Sequence, residues 1–482
     1  MTIDQIKAIF KNYEGDLPPE IKLLFEALIT IVDQQQIRIK ELEDQIAKNS
    51  RNSSKPPSSD GLNHKKTESL RPKSNRKTGG QPGHKGHKLE LRSDPDQVIL
   101  HRLESCPNCD TDLSKQEVEE IARKQIWDIP PIKLHVIEHQ QEIKTCSCCG
   151  ITWQAGGLPE HIKNEVEYGP GIKALGVYLQ HHQHLPMKRG CELMQELFSI
   201  PISQASLSNF SQNANRRLTD FESLVHQCIL DSEAGHFDET GIRLFKKNYW
   251  LHTSSTLNHV LYVVHPKRGG AALQDIGILP NYQGVAHHDA YSPYLALTKL
   301  NRSLCNAHVL RELTFALEQK QQSWAGEMIS LLCRIKKKVD QSPHACLDTR
   351  WQGRYRKQFQ KIINEGLELN PPPKEKSGKR GRTKKTKMRN LLERLNKYQD
   401  EYLKFMSDPN AQFDNNLAER DLRMIKVKMK ISGCFRSWEG SQASARIRSF
   451  IMTAQKQSVN IMMALKDVFS PKPNVYLQLT SG

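Results

Sequence analysis

At 482 residues, 37% of them apolar, the chain is long enough for several domains and at least one sizeable core. A formal charge of +17 points to a polyanionic partner, most simply nucleic acid, although a ribosome-associated or membrane-surface protein would share that charge. No run of about 18 apolar residues occurs and the N-terminus is acidic and mixed, so the expectation is no membrane span, no signal peptide and a cytoplasmic protein. Eleven cysteines, unevenly spread and odd in number, suit metal binding and scattered core thiols better than a disulfide framework.

Residues 17–48 predict a coiled coil within an N-terminal helical segment, 1–50. Phe25, Leu28, Val32, Gln35, Ile39, Leu42 and Ile46 keep a 3-4 spacing, and all but Gln35 are apolar. Self-association through this seam is the functional reading; packing against the rest of the same chain is the alternative. From 51 to 95 the composition turns to Ser, Pro, Gly and base, including Lys65, Lys66, Arg71, Lys73, Arg76 and Lys77, with almost no large apolar residue. Such a stretch cannot offset the entropy of ordering and reads as a flexible basic linker that could order on a phosphate backbone.

Within 96–160, Cys106-Pro-Asn-Cys109 and Cys146-Ser-Cys148-Cys149 form two knuckles separated by the alternating segment Lys133–Glu138. Four thiolates from Cys106, Cys109, Cys146 and Cys149 can close a tetrahedral structural zinc site of ribbon type, with Cys148 surplus. Residues 165–228 have helical periodicity. A helix from Cys191 to Phe198, a break at Ile200-Pro201-Ile202 and a capped start at Ser203 suggest a helix-turn-helix whose Ser203, Gln204, Ser206 and Asn209 meet DNA. Ordinary helical packing has the same pattern.

The next segment, 230–308, carries His236-Phe-Asp238-Glu-Thr240 and His287-His288-Asp289-Ala-Tyr291, each placing an aspartate where an apolar strand is expected to end. Strands around 242–245, 249–252 and 261–264, a short helix at 271–276 and a returning strand match the first half of a ribonuclease-H-like fold. A fifth strand is expected near Leu295–Lys299. That fold gathers carboxylates from neighbouring strands and a later helix around divalent cations. The helix beginning near Asp414 or Asn415 supplies Glu419, with Arg423 one turn on. Asp231, Glu239 and Asp275 compete for the aspartate roles and Glu312 for the glutamate. Residues 409–452 would complete the core. Between the halves, 309–408 reads as a helical insertion, with nine Lys or Arg against one acid from Pro371 to Arg389. Cys305 and His308 could ligate a metal but, as two donors alone, are expected to be structural. Residues 453–482 read as a C-terminal tail.

Taken together, the N-terminal helix, the Ser-Pro tract ending at Asp60, the Gly79–His87 box, the knuckles, Asp238-Glu-Thr240, His288-Asp289-Ala-Tyr291, Cys305-Asn-Ala-His308 and Asp414–Arg420 resemble the large transposase of the insertion-sequence sixty-six family. Asn306, where an aromatic residue is usual, and the basic run at 371–389 depart from that pattern. The resemblance implies a multidomain α/β protein with an aspartate-aspartate-glutamate site at Asp238, Asp289 and Glu419. It implies magnesium or manganese at that site beside structural zinc, cleavage at element ends and strand transfer into target DNA, and a cytoplasmic, nucleoid-associated enzyme. Asn415, Asn416, Arg420 and Arg423 are candidate phosphate contacts. Double-stranded DNA, a second copy of the chain and small accessory proteins are the expected partners. A zinc-containing DNA-binding regulator, an inactive transposase remnant and a non-transposing nuclease are the alternatives.

Overall fold

In this computed structural model the described residues are 3–13, 15, 18–53, 55, 60, 89–129, 134–159, 162, 164–373, 385–471 and 473. Residues 61–88 of the basic linker and 374–384 of the basic run lie outside them. Among the described residues no helix is long and apolar enough to cross a membrane.

The N-terminal helices α1 (Ile3–Tyr13) and α2 (Pro19–Ile46) fold against each other, joined by Lys7–Asp33 (2.6 Å) and a stacked Phe10–Phe25 pair. Phe25, the start of the predicted seam, is thus in contact with the chain itself yet stays exposed, as do Leu28, Ile39, Leu42 and Ile46. The strands β1 (Ile143–Thr145) and β2 (Thr152–Gln154) form a hairpin around the second knuckle. The alternating residues 134–138 form no strand, contrary to expectation.

The central sheet has the order β5-β4-β3-β6-β7. Strand β3 (Ala234–Leu244) pairs antiparallel with β4 (Lys247–Ser255), and β4 with β5 (Val260–His265). On its other side β3 runs parallel to β6 (Val285–His288), which runs parallel to β7 (Arg302–Leu304). The Leu244↔Lys247 pairing leaves a two-residue loop, Phe245-Lys246, with both residues at positive φ, the handedness a tight hairpin needs to match strand twist. Helix α7 (Gly270–Ile276) carries the crossover from β5 to β6, as a parallel connection requires. The fifth strand lies at 302–304 rather than 295–299; the earlier stretch opens with the short helix α8 (Ser292–Leu295), which has Pro in its first turn and buries Tyr294.

Alternation along β3 assigns its two faces. Ile242 and Leu244 pack with Leu422 and Ile425 of α14 (Asn416–Ser432), while Phe237 joins a second cluster. That second cluster includes Ala174 and Val177 of α3 (Pro170–Val177), Met194 of α4 (Met187–Phe198), Leu207 of α5 (Gln204–Arg217) and Phe221 of α6 (Thr219–Leu230). The residues 165–228 thus share one core with the sheet and do not form a free-standing domain. The expected tail is corrected in the same way. After α15 (Trp438–Lys456), Ala464, Leu465 and Val468 of α16 (Ile461–Val468) are buried in that core. Helix α15 also closes the sheet edge: Thr453 and Ser449 hydroxyls accept from the N–H groups of Val260 (3.1 Å) and Tyr262 (2.9 Å), removing donors that would otherwise pair with another chain.

The insertion has its own core, built from α9 (Asn306–Lys320), α10 (Ser323–Asp340), α11 (Thr349–Leu369), α12 (Lys387–Lys397) and α13 (Gln399–Leu403) around Trp324, Phe359 and Leu392. Helix α2 docks on it through Asp44, which pairs with Lys320 and Lys387.

Candidate active site

Strand register decides which residues share an edge. His236 pairs with His287, and His287 with Ser303, across three parallel neighbours. Two residues further along each chain come Asp238, Asp289 and Cys305, so the same register sets these three side by side on one face. Asp238 lies inside β3, not at its end as expected; it stands free on one side because β6 stops at His288. Helices α9 and α14 begin at this edge and bring His308 and Glu419 in their first turns.

The helix start is fixed by Asn415. Its side chain does not cap α14; Oδ1 accepts from His236 Nδ1 (3.0 Å) and Nδ2 donates to the Phe237 carbonyl (2.8 Å). His287 completes the lacing, with Nε2 accepting from the Gln412 N–H (2.7 Å) and Nδ1 donating to the Gly235 carbonyl (3.1 Å), while its ring stacks on His236 at 4.2 Å. Burial pushes His236 down to about 3, and His287 and His288 down to about 4. At neutral pH these imidazoles are uncharged braces, a role the sequence patterns did not disclose.

Electrostatics mark the carboxylates as a set. Burial, then the charges of Glu239, Asp289 and Glu419, push Asp238 up to about 8, against one stabilising hydrogen bond from the Glu239 N–H (2.8 Å). Asp289 accepts from the Tyr291 N–H at 3.0 Å. Glu419 has Oε1 3.7 Å from His308 Nδ1 and Oε2 3.8 Å from Arg311, and Oε1 is buried without a hydrogen-bond partner. Glu419 makes these contacts with α9 and none with Arg423, which is exposed. Mutually repelling oxygen donors at one edge are a donor set that magnesium or manganese suits, since hard cations favour oxygen and neutralise the repulsion.

The competing acids are engaged elsewhere. Glu239 is held by Arg268 (2.6 Å) and the Tyr294 hydroxyl on the opposite face of β3. Asp275 pairs with His265 (3.0 Å), Glu312 with Arg394 (2.7 Å) inside the insertion, and Asp231 accepts from Gln227 (2.8 Å).

The sequence model of the Transposase IS66 family matches residues 165–443, more than half of the chain. The chain belongs to the IS66 family of transposases. The zinc-finger binding domain of transposase IS66 matches residues 104–150, and a family of unknown function matches 13–90. No curated protein matches the chain.

In this transposase each zinc knuckle is built from the same turn. Cys106 N–H donates to Thr111 O (2.9 Å) and Asp110 N–H to Cys106 O (2.9 Å); Cys146 N–H donates to Ile151 O and Gly150 N–H to Cys146 O, both at 2.9 Å. The Cys109 thiol is held low by its hydrogen bonds from Thr111 and then Cys106, and Cys146 by hydrogen bonds from the backbone of Cys149 and Cys148, which prepares both as thiolate ligands. Among the described residues the four knuckle thiols do not gather as one cluster; the donors that do are Cys305, His308 and Glu419. Of the transposase's candidate DNA contacts, Ser203 caps α5 by accepting from the Ser206 N–H (3.1 Å), and Gln204 and Asn209 lie in the first half of that helix. Asn416 is half-buried, its N–H donating to Asp414 (3.0 Å), and Arg420 is exposed, whereas Asn415 is committed to internal bonds.

Proposed function

We propose that this transposase has a ribonuclease-H-like catalytic core and cuts and joins DNA at Asp238, Asp289 and Glu419. The single observation that carries the reading is the sheet, three antiparallel strands followed by two parallel ones, whose register sets Asp238 beside Asp289 while α14 brings Glu419 to the same edge. Magnesium or manganese ions held by these carboxylates would activate the attacking oxygen and stabilise the leaving one during in-line displacement. The chain's own residues set the geometry for that step. Asn415, His236 and His287 lock β3, β6 and the start of α14 together, so the three acids come from elements that cannot drift apart. Asn416, half-buried, and Arg420 and Arg423, exposed, share the helix of Glu419, and their amide and cationic groups would bind the backbone of an element end.

The remaining modules serve DNA and assembly in this reading. The knuckles bind structural zinc, the start of α5 contacts DNA, the basic segments at 51–95 and 371–389 neutralise phosphates, and the exposed part of α2 pairs with a second copy. The test uses purified full-length protein with duplexes carrying the element ends. Asp238→Asn, Asp289→Asn and Glu419→Gln should each lower cleavage and strand transfer at least about a thousandfold while binding to the ends persists. Cleavage at wild-type rate in any of the three refutes the assignment, and cleavage without joining in the native protein makes it a nuclease only.

A further inference from the structure

Cys305, His308 and Glu419 each offer a ligand atom, and the three atoms lie within 4.8 Å of one another. They differ in kind: a sulfur, an imidazole nitrogen and a carboxylate oxygen. Two of them, His308 Nδ1 and Glu419 Oε1, are buried without a hydrogen-bond partner and face each other at 3.7 Å. That is too long for a hydrogen bond and close to the spacing of two ligands around one tetrahedral ion. Burial pushes the Cys305 thiol up to about 12, so it is a neutral thiol until an ion displaces its proton, but its lone pairs are already aimed. The N–H of Asn415 donates to it at 3.2 Å, and the backbone of His308 also hydrogen-bonds to it, so two donors orient the lone pairs of Cys305.

The scaffold around the three is fixed. Cys305 N–H donates to the His288 carbonyl (3.0 Å), and Asn306 is clamped to the carbonyls of Tyr402 (2.9 Å) and Phe413 (3.3 Å). We propose that Cys305, His308 and Glu419 bind a zinc ion with one open coordination position at the edge of the carboxylate site. A thiolate and an imidazole favour zinc over magnesium, and three protein ligands with a vacant fourth position are the pattern of zinc sites that take an exogenous oxygen. The ligand at that position would be water or a phosphate oxygen of DNA. Glu419 joins the two sites, because Oε1 faces His308 while its charge is felt by Asp238. The inference stands on donor geometry and does not require the chain to cut DNA.

The experiment is metal counting on the full chain, combined with cobalt substitution. Cys106→Ser/Cys109→Ser protein, which lacks one knuckle but retains all three donors, should still bind about one zinc per chain with high affinity, and cobalt there should show the near-ultraviolet charge-transfer band of a single thiolate. Adding His308→Ala, which removes a partly exposed side chain and so preserves the fold, or Cys305→Ser, should abolish both the ion and the band; thermal melting checks that the fold survives. No zinc in the knuckle variant, or the same zinc content after His308→Ala, overturns the site. Asp238→Asn touches none of the donors and should keep the ion. Loss of cleavage in Asp238→Asn together with zinc that ignores Cys305 and His308 would leave the proposed function standing and this site refuted.

Discussion

Asp238 makes the carboxylate edge a source of instability. Folding raises its pKa from the ordinary 3.8 to about 8, so its contribution to stability is complete below about pH 4 and is lost as pH rises through about 8. Asp238→Asn should therefore melt with the native protein near pH 4 and above it at pH 8 by on the order of 5 °C in the absence of divalent cations. Magnesium should narrow that gap by stabilising the native protein alone. Equal melting at pH 8 would show that the carboxyl is not strained by its surroundings. Asn415 permits a second test at this scale. Its amide is buried with both ends bonded, so Asn415→Ala leaves His236 and the Phe237 carbonyl unpaired and should cost about 2–4 kcal/mol in urea unfolding. The acids were legible because each lies in a short motif beside an apolar run. The roles of His236, His287 and Arg311 were not, since their partners are 50 or more residues away in the chain; His308 stood out beside Cys305, but without its third partner Glu419.

Among the elements, hydrophobic periodicity located β3, β4, β5, α7 and β6, where apolar residues recur with the period of the structure they form. It failed where the stretch was short or its partner remote. Arg302–Leu304 is three residues long, and α16 has eight, too few for a repeating pattern to stand out from a tail. Burial shows that α16 is no appendage. Leu465→Ala empties a fully enclosed position and should destabilise the core by about 2–5 kcal/mol, and truncation after Lys456 should yield aggregated protein. Stability unchanged by L465A would contradict this packing. Helix α2 gives the opposite lesson. Its 3-4 spacing was plain in the sequence, but Phe10 stacks on Phe25 within the chain, while Leu28, Ile39 and Leu42 stay exposed. Leu28→Glu/Leu42→Glu should reduce the sedimentation coefficient to that of a monomer if those residues form the contact between copies.

At the scale of the whole molecule, the boundaries were the least legible feature, because one apolar cluster unites Ala174 near its start with Phe469 near its end. Such long-range sharing leaves no mark in local composition. The positive charge did show in the sequence, and it concentrates in segments joined to this core. Replacing four lysines of the 371–389 run by alanine should flatten the dependence of log affinity on log salt by about 0.9 for every phosphate that is no longer neutralised, while leaving the unfolding midpoint unchanged. An identical salt slope would place DNA elsewhere.

The insertion leaves and rejoins the sheet at one point. Asn306 N–H donates to the Phe413 carbonyl at 3.0 Å, its side chain grips the same carbonyl, and Cys305 and Glu419 stand on either side of that joint. The insertion is thus rooted at one joint beside the carboxylate edge, braced also by Ser303 and His287 on Gln412 and by Leu304 in its core. A load on the outer lobe would pass through that joint to the start of α14, the helix that carries Glu419.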